Sequence, residues 1–295
     1  MDVSVVIVNY NGGEWIIRSI RAVLDTTREM ECEILVADNA STDDSDRQVE
    51  SIFDSQVRLL RLEANQGYAA ANNAALPYCS GRNILFLNPD TEVQLDAIKM
   101  LCTYLDTHAE VGACGGNLFT PKGTPAFSYW MLLPGVRFEV NRLFSDMFLH
   151  LRHRGSEEHN HTDRTKEVAH IMGADLMVKR SVLNQVGAMD DAFFLFYEDT
   201  ELCCRIARAG YRLVNIPDAH IIHAEGQSID VEDKRMPYMM ASRRIYLQKC
   251  VSVFEHRIAD AVLWLNCSIR LFWFTLAHNE KKQSYWSYIQ THIKA

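Results

Sequence analysis

The residues best suited to chemistry are acids, amides and one histidine placed where apolar runs stop. Glu198-Asp199 follows the aromatic run Phe193–Tyr197 (FFLFY) and precedes Leu202, Cys203, Ile206 and Ala209, which have helical spacing. Asp199 therefore falls at a helix N-terminus, where the dipole favours an ionised carboxylate and the aromatic approach excludes water. Such a carboxylate suits general-base work, with helix capping by both acids as the alternative. Asn88-Pro89-Asp90 ends the apolar run Ile84–Leu87, and the proline fixes the turn. A carboxylate held there is a ligand for Mg2+ or Mn2+ shared with a diphosphate, and a turn with a capping Asp explains the same residues equally well. Asp38-Asn39-Ala40-Ser41 follows the run Ile34–Ala37. Asp38 can accept hydrogen bonds from a base or ribose, although a strand-to-helix turn capped by Ser41 or Thr42 has the same composition. In Asn65-Gln66-Gly67-Tyr68, Gly67 permits close backbone approach, and the helix it opens offers N–H groups to an anion. His223, near Gly226 and Ser228 in HIIHAEGQS, is a metal or phosphate contact if its surroundings support one, and a structural strand-end histidine otherwise.

These residues need a frame that brings strand ends together. Val3–Val8, Ile34–Ala37, Val57–Leu62, Asn83–Leu87, Leu176–Val178 and Arg212–Ile216 read as strands. Helical patterns near Trp15–Leu24, Asp43–Phe53, Tyr68–Leu76, Leu95–Thr107 and Asp199–Ala209 alternate with them. The alternation predicts βαβ units and an α/β fold with a mainly parallel sheet. Right-handed crossovers then line the strand C-termini along one edge, where ligands bind. Between Thr120 and Thr165 the pattern weakens, and this stretch reads as an irregular, acceptor-facing loop or lid. Its histidines (His153, His159, His161) read as solvated rather than metal-binding. From about Val231 the chain reads as two or three helices, so the expected division is a catalytic domain over 1–230 and a helical extension over 231–295.

Composition bounds the function. The 295 residues are 48% hydrophobic, and the net charge is −8, which disfavours a phosphate-backbone binder; no nucleic-acid partner is expected. The eight cysteines include no C-x-x-C pair and read as reduced, buried thiols of a cytoplasmic protein. Met1–Val8 lacks a basic leader and reads as a strand rather than a signal peptide. The C-terminal segment differs, with ten basic residues against five acidic ones from Val231 onward. Ala261–Ala277 (AVLWLNCSIRLFWFTLA) is apolar but interrupted by Asn266 and Arg270, and is shorter than the about 20 residues of a membrane span. It fits a helix lying on a membrane surface, packed on the main domain, or at a homodimer contact.

Taken together, VVIVNYN (Val5–Asn11), DNAS (Asp38–Ser41), NQGYAAANN (Asn65–Asn73), LNPDT (Leu87–Thr91), GAD (Gly173–Asp175), FYEDTEL (Phe196–Leu202), Gly210-Tyr211 and HAEGQS (His223–Ser228) are far more specific than any one motif. Over residues 3 to 230 the chain resembles the GT-A glycosyltransferases of family 2, particularly the bacterial branch that includes rhamnosyltransferases. The resemblance implies an inverting transfer from a nucleotide-diphosphate sugar, dTDP-rhamnose first and UDP-sugars behind it. The acceptor would be a glycan or lipid-linked glycan of bacterial surface polysaccharide, met at the cytoplasmic face of the inner membrane. Asp38 would hold the base, with Asn9, Tyr10 and Asn11 as the pocket floor. Asn65, Gly67, Glu198 and Ser228 would line the donor site, and Gly173 and Asp175 would shape the sugar and acceptor side. The family's metal motif is often Asp-x-Asp; here Asn88-Pro89-Asp90 leaves Asp90 as the carboxylate ligand of Mg2+ or Mn2+, with His223 as second ligand and Asn88 turned to ribose or sugar. Asp199 would be the base. A nucleotidyltransferase would want a basic glycine-rich loop after the first strand, and Asn9–Glu14 has no Lys or Arg. A non-catalytic nucleotide-sugar-binding subunit would not need both Asp90 and Asp199.

Overall fold

The structure is a computed structural model that describes residues 1–147, 158–224 and 232–293. The chain divides into two compact units. One comprises Met1–Met131 and Glu157–Asp230, the other Leu132–Ser156 and Val231–Ala295.

The first unit is built on a nine-stranded mixed sheet. Its parallel part comprises β1 (Val3–Asn9), β2 (Cys32–Asp38), β3 (Val57–Arg61) and β4 (Asn83–Leu87), in the order β3-β2-β1-β4. The connecting helices are α1 (Gly13–Thr26), α2 (Ser45–Phe53) and α3 (Tyr68–Ala75). β1 is buried along its whole length, which explains its almost wholly apolar run. Register aligns Asn9 with Asp38, and Asp38 with Arg61, so three strands end level.

A short β5 (Thr91–Val93) and α4 (Ala97–Thr107) lead to β6 (Val111–Phe119), then β7 (Tyr129–Trp130). In the second unit α5 (Val136–Met147) follows. The first unit resumes with β8 (Lys166–Val168), β9 (His170–Ile171), β10 (Asp175–Lys179), α6 (Arg180–Val186), α7 (Glu198–Arg208) and β11 (Arg212–His223). β10 runs antiparallel between β4 and β6 and pairs Asp175 with Leu87. The start of β10 thus lies at the edge where β4 ends. β11 is longer than its sequence pattern suggests, because a register shift between Asn215 and His220 absorbs Pro217. Its end pairs His223 with Thr91, beside the β4 turn. β7 and β9 form a separate two-stranded ribbon.

The second unit contains α5, α8 (Glu232–Cys250), α9 (Val253–Leu276) and α10 (Glu280–His292). The helix α5 lies within the stretch expected to be irregular. What stabilises it is remote in sequence: Glu139 is buried against Arg243 of α8, with Oε1 accepting from Nη2 at 3.0 Å. Arg243 also donates to Asp260 of α9 at 2.7 Å, and His256 stands 3.2 Å from Asp260. Met240, Leu263, Cys267, Trp286 and Ile289 form the apolar core around this network. No disulfide forms, and seven of the eight cysteines are buried. Among the described residues no helix is long and apolar enough to cross a membrane.

Removing the cation from a buried network leaves its carboxylates uncompensated. Arg243→Ala is therefore expected to destabilise the second unit by about 3–5 kcal/mol. Hydrogen exchange should show the loss in α8 and α9 amides first. A loss below about 1 kcal/mol would mean that solvent reaches the network.

Candidate active site

The level strand ends of β1 and β2 are tied together by Asn9. Its side chain is 0% exposed and donates to Asp38 Oδ1 at 2.8 Å and Ser45 Oγ at 2.8 Å. Its own Oδ1 accepts the Gly12 N–H at 3.2 Å. Asp38 is 4% exposed and accepts from the Ser41 hydroxyl at 2.6 Å and the Ser41 N–H at 3.1 Å. Asn11 adopts a left-handed φ of 54° and accepts the Thr42 N–H at 2.7 Å. Asn9 and Asn11, expected in the pocket floor, are thus braces beneath it, since their side chains are spent on the protein. Tyr10 between them is exposed.

The second turn is held the same way. Asn39 donates to Asn65 Oδ1 at 2.9 Å and accepts the Gln66 N–H at 2.9 Å. Asn65 Oδ1 also accepts the Gly67 N–H at 3.0 Å. Gly67 has φ 89°, and a Cβ there would lie 2.4 Å from the Phe194 carbonyl oxygen. That carbonyl accepts the Tyr68 N–H at 2.7 Å. The expectation that Gly67 opens a helix end for an anion is corrected at this point: the close neighbour is the Phe194 backbone, and it takes the first helical N–H.

Asp90 and His223 meet at the β4 and β11 ends. His223 Nε2 is 3.4 Å from Asp90 Oδ1 and 3.4 Å from Asn88 Nδ2, and both members of the acid–imidazole pair are buried. The Ala224 N–H donates to the Asp90 carbonyl at 3.0 Å, locking β11 to the turn. One carboxylate and one imidazole form a two-donor set suited to Mg2+ or Mn2+ only if a substrate oxygen completes it. Among the described residues no cluster of three His, Cys, Asp or Glu stands ready for a metal. The donors fit a cation shared with a diphosphate rather than a self-sufficient protein site. Asp175, expected to face sugar or acceptor, is instead fully buried and accepts the Gly116 N–H at 2.5 Å. Burial pushes its carboxyl up to about 7, against the opposing pull of Gly116 and His223. Ser228 lies outside the described residues.

Asp199 is the most firmly held acid. Phe196 and Tyr197 both take left-handed φ values, 69° and 68°, immediately before α7. Non-glycine residues rarely adopt that conformation, and it turns the chain sharply so that Asp199 faces the sheet edge. Its Oδ2 accepts the Gly173 N–H at 2.8 Å and stands 3.2 Å from His170 Nε2. Its Oδ1 accepts the Thr200 N–H at 2.6 Å and hydroxyl at 3.1 Å. Gly173 eases this approach, because a Cβ there would lie a tight 3.2 Å from Oδ2. The side chain keeps 14% exposure.

The neighbouring acids diverge. Burial, then the Asp199 charge, pushes Glu198 well above the usual carboxylate range. Burial also works against Asp199, but the His170 charge and hydrogen bond, with Gly173 and Thr200, outweigh it and hold Asp199 below its usual value. Two adjacent acids pulled in opposite directions are a mark of divided roles. The Tyr68 hydroxyl donates to the Gly173 carbonyl at 2.9 Å. Burial raises its pKa, and the Glu198, Asp199 and Asp90 carboxylates raise it further, so these acids gather around one phenol.

Sequence reasoning missed Asn39, His170 and Tyr68 as members of the site. Asn39 and Tyr68 sat inside quoted motifs. The signal for His170 was a polar residue in an otherwise apolar run three positions before Gly173.

Residues 4–187 match the family described as Glycosyl transferase family 2. The dTDP-rhamnosyl transferase RfbF of Shigella flexneri is 26% identical over 94% of this chain and 86% of its own length. The N-acetylglucosaminyl-diphospho-decaprenol L-rhamnosyltransferase of Mycobacterium tuberculosis is 27% identical over 76% of each. Among solved structures, the mannosyltransferase PcManGT of Pyrobaculum calidifontis, in complex with GDP-Man and Mn2+, superposes with TM-score 0.55 at 17% identity, over 99% of this chain and 84% of its own. GalNAc-T7 with UDP, GalNAc and Mn2+ gives 0.61 at 16% identity over 84% of this chain, which spans 48% of that protein. The curled, mostly parallel sheet with its acids at one edge is the GT-A fold of these structures, and the chain belongs to glycosyl transferase family 2.

Proposed function

We propose that the protein is an inverting glycosyltransferase that moves a sugar from a nucleotide diphosphate, dTDP-rhamnose first, to a hydroxyl of a glycan or lipid-linked glycan. The observation that carries this reading is the partly exposed Asp199 carboxylate, held by Gly173, Thr200 and His170 below its usual pKa. Asp199 takes the acceptor hydroxyl proton as that oxygen attacks the anomeric carbon, and one in-line displacement inverts the centre. A second nucleophilic carboxylate is not needed, and Glu198, pushed toward its neutral form, does not compete for the role. Asp90 and His223 would hold Mg2+ or Mn2+, which when bound neutralises charge on the departing diphosphate. Support for rhamnose comes from the names of the two relatives above, and support for a lipid-linked acceptor from the mycobacterial one.

The second unit adds a membrane surface to this reading. Phe254, Leu265, Phe272 and Leu276 lie along one exposed face of α9, flanked by exposed Trp264 and Trp273. Exposed Arg257, Lys281 and Lys282 accompany them. Aromatic and apolar bulk with basic flanks fits the headgroup boundary of an anionic bilayer. Arg270, the charge that interrupts the apolar run, does not belong to that surface. It is half-buried, stacks on Trp286 at 4.1 Å and donates to Asn266 Oδ1 at 3.0 Å, and burial lowers its pKa to about 10. Leu271 and Phe274 likewise pack inward.

Asp199→Asn should lower transfer about 10²–10⁴-fold while nucleotide affinity stays within about twofold, because the amide keeps the shape but cannot take a proton. Near-normal turnover of the folded variant would remove Asp199 from the role. Asp90→Ala should weaken dTDP binding in Mn2+ by about tenfold or more and change it little in EDTA, as calorimetry would show. Equal affinity with and without chelator would exclude the cation. The full chain should sediment with phosphatidylglycerol vesicles at low salt and much less at high salt, and Phe272→Ser with Trp273→Ser should abolish this. A vesicle-indifferent chain that elutes as a dimer would assign the α9 face to a second copy instead.

A further inference from the structure

We propose that His170 is the positioning residue for Asp199: it orients the carboxylate and keeps it ionised until the acceptor proton arrives. This rests on Asp199 being the base.

One short segment grips one oxygen of the carboxylate. His170 Nε2 at 3.2 Å and the Gly173 N–H at 2.8 Å both address Oδ2, while Thr200 holds Oδ1 through its N–H and hydroxyl. The carboxylate is therefore fixed in rotation from two sides, which a base needs if one lone pair is to face an incoming hydroxyl.

His170 is itself held by packing rather than by polar partners. It is 2% exposed, and its strand pairs it with Trp130. Its ring lies 4.7 Å from the Trp130 ring and 6.3 Å from that of Phe127. Among the described residues neither ring nitrogen makes a hydrogen bond, and Nε2 approaches the Asp199 carboxylate at 3.2 Å as an ion-pair contact. A buried histidine retained only for stability would bond both nitrogens, since an orphaned polar atom costs stability. Here packing presents the ring to Asp199 instead.

The groups facing Asp199 are few. Glu198 and Cys203 are on its own helix, Tyr68 lies on α3, and His170 lies on β9. Glu198, Tyr68 and Cys203 gain nothing from a charged Asp199, and burial opposes that charge. His170 is the side chain of opposite character that favours it. Replacing it with an apolar residue leaves burial opposed by the Gly173 and Thr200 donors alone, so the carboxyl should titrate at higher pH.

Two measurements test this in the full chain. In the first, carboxyl NMR follows Asp199, assigned through Asp199→Asn, across a pH titration. Its pKa should rise by about one unit or more in His170→Gln, since the paired charge is gone. A change below about 0.3 unit overturns the proposal, whatever the donor sugar proves to be. In the second, nucleotide release is followed against pH. His170→Phe should lower kcat about tenfold or more, with donor KM within about twofold, and move the acidic limb up by about one pH unit. His170→Gln, which retains a donor but no charge, should recover most of kcat while its acidic limb still rises. A folded His170→Phe with unchanged kcat and limb overturns the proposal. Should His170→Phe fail to fold, an unmoved limb in His170→Gln does so equally. A wild-type chain that releases no nucleotide contradicts the glycosyltransferase reading and leaves the NMR result to decide the pair.

Discussion

A nearly buried carboxylate that must stay charged constrains everything around it. Burying Asp199 favours its neutral acid, and only closely placed donors reverse that preference. The Gly173 N–H, the Thr200 N–H and hydroxyl and the His170 imidazole supply them. Each has a structural cost upstream. A side chain at position 173 would crowd the carboxylate, Phe196 and Tyr197 take left-handed backbone, and β9 pairs with Trp130 to present its histidine. The strain sits immediately before the Glu198-Asp199 pair, as expected where a site demands a backbone that local preference does not favour.

Topology does the remaining work. β1, β2 and β4 run parallel, so their C-terminal turns fall together, and antiparallel β10 returns its start to that edge. β11 then delivers His223 opposite Thr91, one residue from Asp90. Residues from five separate stretches of chain meet because strand direction and register leave them nowhere else to go. The helices contribute mainly by covering both faces of the sheet, with apolar clusters on each side.

Most of this frame was legible in the amino-acid pattern because a strand buried on both faces writes itself as an apolar run and an amphipathic helix as a 3.6-residue period. β1 through β4 and α7 carry those signals. What was illegible depended on distant partners. The helix α5 is stabilised by Glu139 reaching Arg243, a pairing that no local pattern encodes. Asp175 looked like a ligand-facing acid because it ends GAD, yet strand pairing turns it onto Gly116. His170 was passed over because one histidine in an apolar run has no spacing partner; its meaning comes from Asp199, 29 residues later. Which motif residues spend their side chains on the protein was therefore set by tertiary contacts rather than by local pattern.

This use of side chains bears on how the donor edge can work. Asn9, Asn11, Asn39 and Asn65 use their amides on backbone N–H groups, serines and each other, so the turns after β1, β2 and β3 are preorganised. A preorganised edge spends little substrate binding energy on ordering itself, leaving more for the transition state. The Asp90–His223 pair is different, because two donors alone do not complete a coordination shell. On the proposed reading, a ligand's oxygens would complete it. The rigid turns would then recognise shape before the reaction, while the Asp90–His223 pair would be completed by the substrate, tying charge neutralisation there to the presence of a diphosphate.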